Sequence, residues 1–122
     1  GEDDRIQFTG RLPHAETMRW LRRSAIFALP SYQETFGLVY LEAAAAGCAL
    51  IGRAGEGVSG VFPEGEAILL PDSYESFARS VHQLLADAAL RQKMGQAARS
   101  RVASLTWTKV MARYEALYTP VE

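Results

Sequence analysis

Between Gly47 and Gly52 the chain runs Cys48-Ala49-Leu50-Ile51 without a polar residue. A strand with one wet face alternates apolar and polar residues. A short strand without that alternation is buried on both faces, as in parallel sheets with helices above and below. A strand at Ala49–Ile51 therefore predicts layers on both sides of its sheet. The neighbouring segments fit such an architecture. Ile6 and Phe8 alternate within Arg5–Thr9 and predict a first short strand ending at Gly10. Pro13 opens a helix over His14–Ser24, with Ala15, Met18, Leu21 and Ala25 at helical spacing. A strand over Ala25–Leu29 runs into Pro30-Ser31, and an alanine-rich helix over Gly37–Ala46 stops at Gly47.

Beyond the glycine-rich loop Gly52–Gly60, Ala67–Leu70 reads as a strand closed by Pro71. Asp72 and Glu75 have the spacing of a capping box ahead of Phe77, Val81, Leu84 and Leu85. A helix after Asp87 carries Leu90, Met94, Ala98 and Val102 on one face. A last helix after Thr106 carries Trp107, Val110, Met111, Tyr114 and Leu117. Strands that alternate with helices predict a parallel α/β sheet covered on both faces. No internal repeat or linker interrupts residues 1–122, which read as a single domain.

Composition narrows the function. With 48% hydrophobic and 22% charged residues the chain can bury a core without disulfides or a structural metal. A net charge of −1 with scattered basic residues argues against nucleic acid as a partner. The single cysteine, Cys48, lies in the apolar run and reads as a small buried side chain. There is no signal-like start and no apolar run approaching the roughly 20 residues of a membrane helix. The expectation is a cytoplasmic protein, with peripheral membrane attachment of a full-length enzyme left open. His14 and His82 show no partner pattern and read as surface or packing residues, and Arg53 reads as a solvated loop arginine.

In parallel α/β sheets ligands bind beyond the carboxyl ends of the strands, which directs attention to the loop Pro30–Phe36. Glu34 and Glu42 enclose Phe36-Gly37-Leu38. On one continuous helix they would stand about 12 Å apart along the axis and about 80° apart around it, so they cannot act on one atom. With Glu34 in the loop and Glu42 more than a turn into the helix, the amides around Phe36, Gly37 and Leu38 lie between them. A helix N-terminus accepts anions. A ligand with a central diphosphate and hydroxyl-rich ends fits that arrangement, and at Gly37 the missing side chain lets the backbone approach it. On spacing alone, two solvated surface carboxylates remain the ordinary reading.

The whole segment Pro30-Ser31-Tyr32-Gln33-Glu34-Thr35-Phe36-Gly37-Leu38-Val39-Tyr40-Leu41-Glu42-Ala43-Ala44-Ala45-Ala46-Gly47 resembles the signature of the retaining nucleotide-sugar glycosyltransferases of the GT-B fold. The order of the flanking elements is similar as well. The resemblance implies a Rossmann-like parallel sheet flanked by helices, part of a GT-B C-terminal domain whose N-terminal acceptor domain is missing. It implies that Glu34 contacts the transferred sugar as the catalytic candidate. Thr35, Phe36, Gly37 and Leu38 would bind donor, and Glu42 the ribose hydroxyls. The donor would be a UDP- or GDP-type sugar nucleotide and the activity of hexosyltransferase type, with no cofactor and no metal.

Certain motifs depart from the family pattern. Gly10-Arg11-Leu12 is followed by Pro13-His14-Ala15 where the family's basic diphosphate clamp continues with lysine and glycine, so the clamp is read as absent. Ala45 replaces a common methionine, Cys48-Ala49 stands where a proline is frequent, and Val58-Ser59 replaces Pro-Glu after the glycine loop. The reading is an enzyme fragment, inactive alone. The alternative is a non-catalytic nucleotide-sugar-binding or regulatory module of the same fold. Epimerases and phosphorylases fit less well because they lack this glutamate pair. The stripe Trp107, Tyr114 and Tyr118 on the last helix would favour self-association if exposed.

Overall fold

A computed structural model of the chain describes residues 5–29, 38–55 and 60–105. Its elements are α1 (His14–Arg23), β1 (Ile26–Ala28), α2 (Leu38–Ala45), β2 (Ala49–Ile51), β3 (Ile68–Leu69), α3 (Tyr74–Ala86) and α4 (Ala88–Ser104). The sheet has order β1-β2-β3, and both pairings are parallel. Phe27 stands beside Leu50, and Leu50 beside Ile68. Each strand is shorter than its apolar run, but the ladder continues past the ends. The Ala49 amide donates to the Ala25 carbonyl and the Leu29 amide to the Ile51 carbonyl, both at 2.9 Å.

The apolar run of β2 has the two-sided burial expected of it. Leu50 packs with Leu21, Tyr40, Ala43, Ala44 and Ile68, while Ala49 and Ile51 pack with Leu84 and Met94 on the opposite face. Side chains alternate along a strand, so α1 and α2 cover one face and α3 the other. Helix α4 contributes to both, sending Ala98 to the first cluster and Met94 to the second.

The joint between α2 and β2 is the tightest place in the fold. The Gly47 amide donates to Ala44 and the Cys48 amide to Ala43, at 3.0 and 3.1 Å, with Gly47 at φ +88°. This is a Schellman closure, and its left-handed residue is the glycine that the sequence places there. The backbone of α4 lies directly on it. A methyl group on Gly95 would overlap the Gly47 carbonyl oxygen and sit 3.2 Å from its carbonyl carbon. Cys48 is buried next to the turn, with its Sγ 3.2 Å from the Leu21 carbonyl oxygen and 3.4 Å from that of Ser24. Burial raises its thiol pKa.

Two sequence expectations are corrected. Residues 5–9 form no strand, and Ile6 and Phe8 are 63% and 96% exposed. Alternation encodes a face, but a strand exists only where another accepts its hydrogen bonds, and no described strand lies beside this segment. The segment instead borders a depression of about 620 Å³ shared with α1 and β1. The capping box of α3 is built by Ser73 and Ser76, not by Asp72 and Glu75. The Ser73 hydroxyl accepts the Ser76 amide at 3.1 Å, and Ser76 Oγ accepts the Ser73 amide at 3.0 Å. Serine at the third helical position reaches back as a glutamate would. Asp72 is left to accept from the Ser76 hydroxyl at 3.3 Å, and Glu75 sits in the first turn, favourable to the helix dipole.

Helix α4 starts where the sequence places it. Asp87 caps it by accepting the Leu90 amide at 2.9 Å. Arg91 turns back to donate to the Leu84 and Leu85 carbonyls, at 2.7 and 2.9 Å, closing the end of α3. The predicted last helix, with Trp107, Val110, Met111, Tyr114, Leu117 and Tyr118, lies outside the described residues, and so does any self-association through it.

Candidate functional site

Because β1 and β2 are parallel, the helix joining them runs back against the strands, and its N-terminal end lies at their carboxyl ends. The same holds for α1, which leads into β1. The first turns of α1 and α2 therefore share the edge of the sheet where ligands of such folds sit.

Tyr40 ties α2 to that edge. The residue is 1% exposed, its hydroxyl donates to the Leu29 carbonyl at 2.8 Å, and its ring meets Phe27 edge-on with centroids 5.3 Å apart. Leu29 is the last residue described before residues 30–37, and α2 is the first element described after them. One side chain thus ties Leu29, beyond β1, to α2. Sequence reasoning passed over Tyr40 as part of a motif. Its signal was a single aromatic in an otherwise alanine-rich helix.

Of the site residues named from sequence, Glu34, Thr35, Phe36 and Gly37 lie outside the described residues. Leu38 and Glu42 are described, and α2 carries both. They are four residues apart and so share one face of the helix. That face is the open one, with Leu38 45% exposed and the Glu42 side chain 32% exposed, while Ala43 and Ala44 on the inner face are sealed. Glu42 lies about 6 Å along the axis from the first residue of α2, more than one turn into it.

A partner for Glu42 comes from α1. His14 Nδ1 lies 3.9 Å from Glu42 Oε1, with the imidazole 71% exposed. This is longer than a hydrogen bond and short enough for direct electrostatic interaction when the imidazole is charged. The sequence showed no partner pattern for His14, because a contact between side chains on two different helices leaves no local signature. His82 is exposed, in keeping with a surface role. Arg53 is only half-exposed beyond β2, which departs from a fully solvated arginine. Arg101 on α4 donates from Nε to the Val61 carbonyl at 2.8 Å and anchors the far side of the glycine-rich loop, another contact without a sequence motif.

Among the described residues no group of three or more His, Cys, Asp and Glu side chains is placed to hold a metal ion. None of the described helices is long and apolar enough to cross a membrane.

Three parallel strands with helices on both faces define an α/β domain of the Rossmann-like kind, part of a GT-B domain. The chain belongs to the family glycosyl transferases group 1, whose sequence profile matches residues 1–101. It is 33% identical over 116 residues to a D-inositol 3-phosphate glycosyltransferase of Corynebacterium diphtheriae, covering 93% of this chain and 27% of that protein. It is 37% identical over 121 residues to a glycogen synthase of Mycobacterium tuberculosis, covering 92% of this chain and 28% of that protein. Among solved structures, a sucrose-phosphate synthase from Thermosynechococcus elongatus superposes with a TM-score of 0.78 at 31% identity, covering 94% of this chain and 30% of that one. The chain thus spans under a third of the length of these relatives.

Proposed function

We propose that this chain is the donor-binding part of a retaining glycosyltransferase of hexosyltransferase type, taking a UDP- or GDP-linked sugar without a metal. The observation that carries the reading is the placement of Glu42. Its side chain is about one-third exposed, on the face it shares with exposed Leu38 at the carboxyl edge of the sheet. A carboxylate in that position accepts two hydrogen bonds from a vicinal diol such as a ribose, and charge-assisted bonds of this kind are worth about 1.5–3 kcal/mol each. In this reading the amides of Phe36, Gly37 and Leu38 and the positive end of the α2 dipole take the diphosphate, stabilising the charge that develops as the sugar leaves. Thr35 belongs to the same donor-binding loop. Glu34, beyond the diphosphate, positions the transferred sugar.

Glycosyl transfer requires an acceptor held against the donor, and restricting both in one cleft accounts for much of the rate. The relatives' names point to different products, an inositol phosphate glycoside, glycogen and sucrose phosphate, while each shares this region. The acceptor is therefore assigned to an N-terminal domain outside this chain, and the chain alone binds donor without turnover.

Calorimetric titration with UDP, GDP and their glucose- and mannose-bearing forms tests the reading. Glu42→Ala weakens binding of the free nucleotide by about a hundredfold or more, the loss of two charge-assisted hydrogen bonds. Glu34→Ala leaves free nucleotide binding unchanged and weakens only the sugar-bearing donor. Equal loss of free nucleotide affinity in both variants defeats the division of roles, and no nucleotide affinity in the unaltered chain defeats the proposal.

A further inference from the structure

We infer that His14 is a positioning residue for Glu42, holding the carboxylate toward the nucleotide's ribose. The inference rests on the ribose role of Glu42 proposed above. Glu42 is followed on α2 by the small alanines Ala43, Ala44 and Ala45, which cannot fix its rotamer, and its side chain is 32% exposed. A glutamate ordered on binding loses up to about 2 kcal/mol of rotamer freedom, and a partner already in place reduces that cost. His14 is the partner the fold supplies. Its Nδ1 is 3.9 Å from Oε1, a gap that a small side-chain rotation closes to hydrogen-bond length.

The donor has a stable base. His14 is the first residue of α1, whose opening turn is held by the Glu16 and Thr17 amides donating to the Pro13 carbonyl at 3.0 and 3.1 Å. The imidazole thus stands on a formed helix end, not on a loop. A neutral imidazole serves this role when its proton is on Nδ1, so that Nδ1–H donates to Oε1 and the other carboxylate oxygen remains for a hydroxyl. An exposed pair of this kind adds little to folding stability, which separates the positioning role from a structural one.

The test uses the 122-residue chain at pH 8, with UDP and GDP and with their 2′,3′-dideoxy forms, which lack the hydroxyls that Glu42 would hold. His14→Ala is expected to weaken UDP or GDP, whichever binds tighter, about two- to fivefold, to leave its dideoxy form unchanged, and to melt at the same temperature. His14→Asn, whose amide nitrogen reaches the place of Nδ1, restores the affinity. Nitrogen NMR of the imidazole is expected to show the Nδ1–H tautomer in the unaltered chain and its loss in Glu42→Gln. Equal weakening of both nucleotide forms, no weakening of either, or imidazole shifts indifferent to Glu42→Gln overturns the inference. If the unaltered chain shows the Nδ1–H signature yet binds UDP and GDP no better than their dideoxy forms, the ribose role of Glu42 fails and this inference with it. If it discriminates and His14→Ala discriminates equally well, the inference alone fails.

Discussion

At its C-terminal end α2 closes on Gly47 against the bare backbone of Gly95, with Cys48 sealed behind the turn. Toward its N-terminal end Leu38 is 45% exposed, and Glu42, 32% exposed, faces the exposed His14. The eight residues of α2 thus join two different surroundings. At Gly95 the closed end has no room for one more carbon. The open end leaves a carboxylate free to turn toward a ligand. Rigidity at one end is what lets looseness at the other serve binding, because a helix anchored by its turn presents its first residues from a fixed base.

Changes at the closed end should cost most. Gly95→Ala forces a methyl into the Gly47 carbonyl, and an overpacked backbone contact of this kind costs about 3 kcal/mol. Urea denaturation should show it as a lower midpoint. The buried Cys48 thiol should then react with a thiol reagent far faster than in the unaltered chain, where burial and the raised pKa both protect it. Unchanged stability in Gly95→Ala would mean that α4 does not rest on the turn.

Gly47→Ala sharpens the comparison. Nothing lies within 4 Å of the added carbon, so the cost is that of an L-residue at φ +88°, about 1–2 kcal/mol. A larger loss than in Gly95→Ala would reverse the order argued here. Tyr40→Phe removes a hydrogen bond at the clamp between the closed and open parts. It should cost about 1 kcal/mol in stability and leave the fold intact, as the ring contact with Phe27 remains. The smallest effect belongs to the exposed segment before α1. Phe8→Ser should change the melting free energy by less than about 0.5 kcal/mol, and a greater loss would show that this segment packs in solution.

Much of the fold was legible because its signals are local. The unbroken apolar run of β2 announced two covered faces, Gly47 announced the end of α2, and Asp87 announced the start of α4. The failures are equally instructive. Ile6 and Phe8 carried the period of a strand without a neighbour to pair with, and Ser76 took the capping place assigned to Glu75 because a hydroxyl one turn on was as well placed as a carboxylate. Of the candidate site, Leu38 and Glu42 came from the motif and both lie on the open face of α2. Tyr40, Arg101 and His14 did not come from it, since each acts through a partner distant in the chain.

By itself the sequence determined the alternation of strands and helices, the burial of β2 and the family, all of which are written in periodicity and in contiguous motifs. Only the tertiary structure decided that Gly95 must be bare, that Tyr40 reaches the end of β1, and that His14 faces Glu42. Periodicity states which side of an element is buried. It does not state which element arrives there, because that depends on strand order and helix direction, which are set when the layers pack.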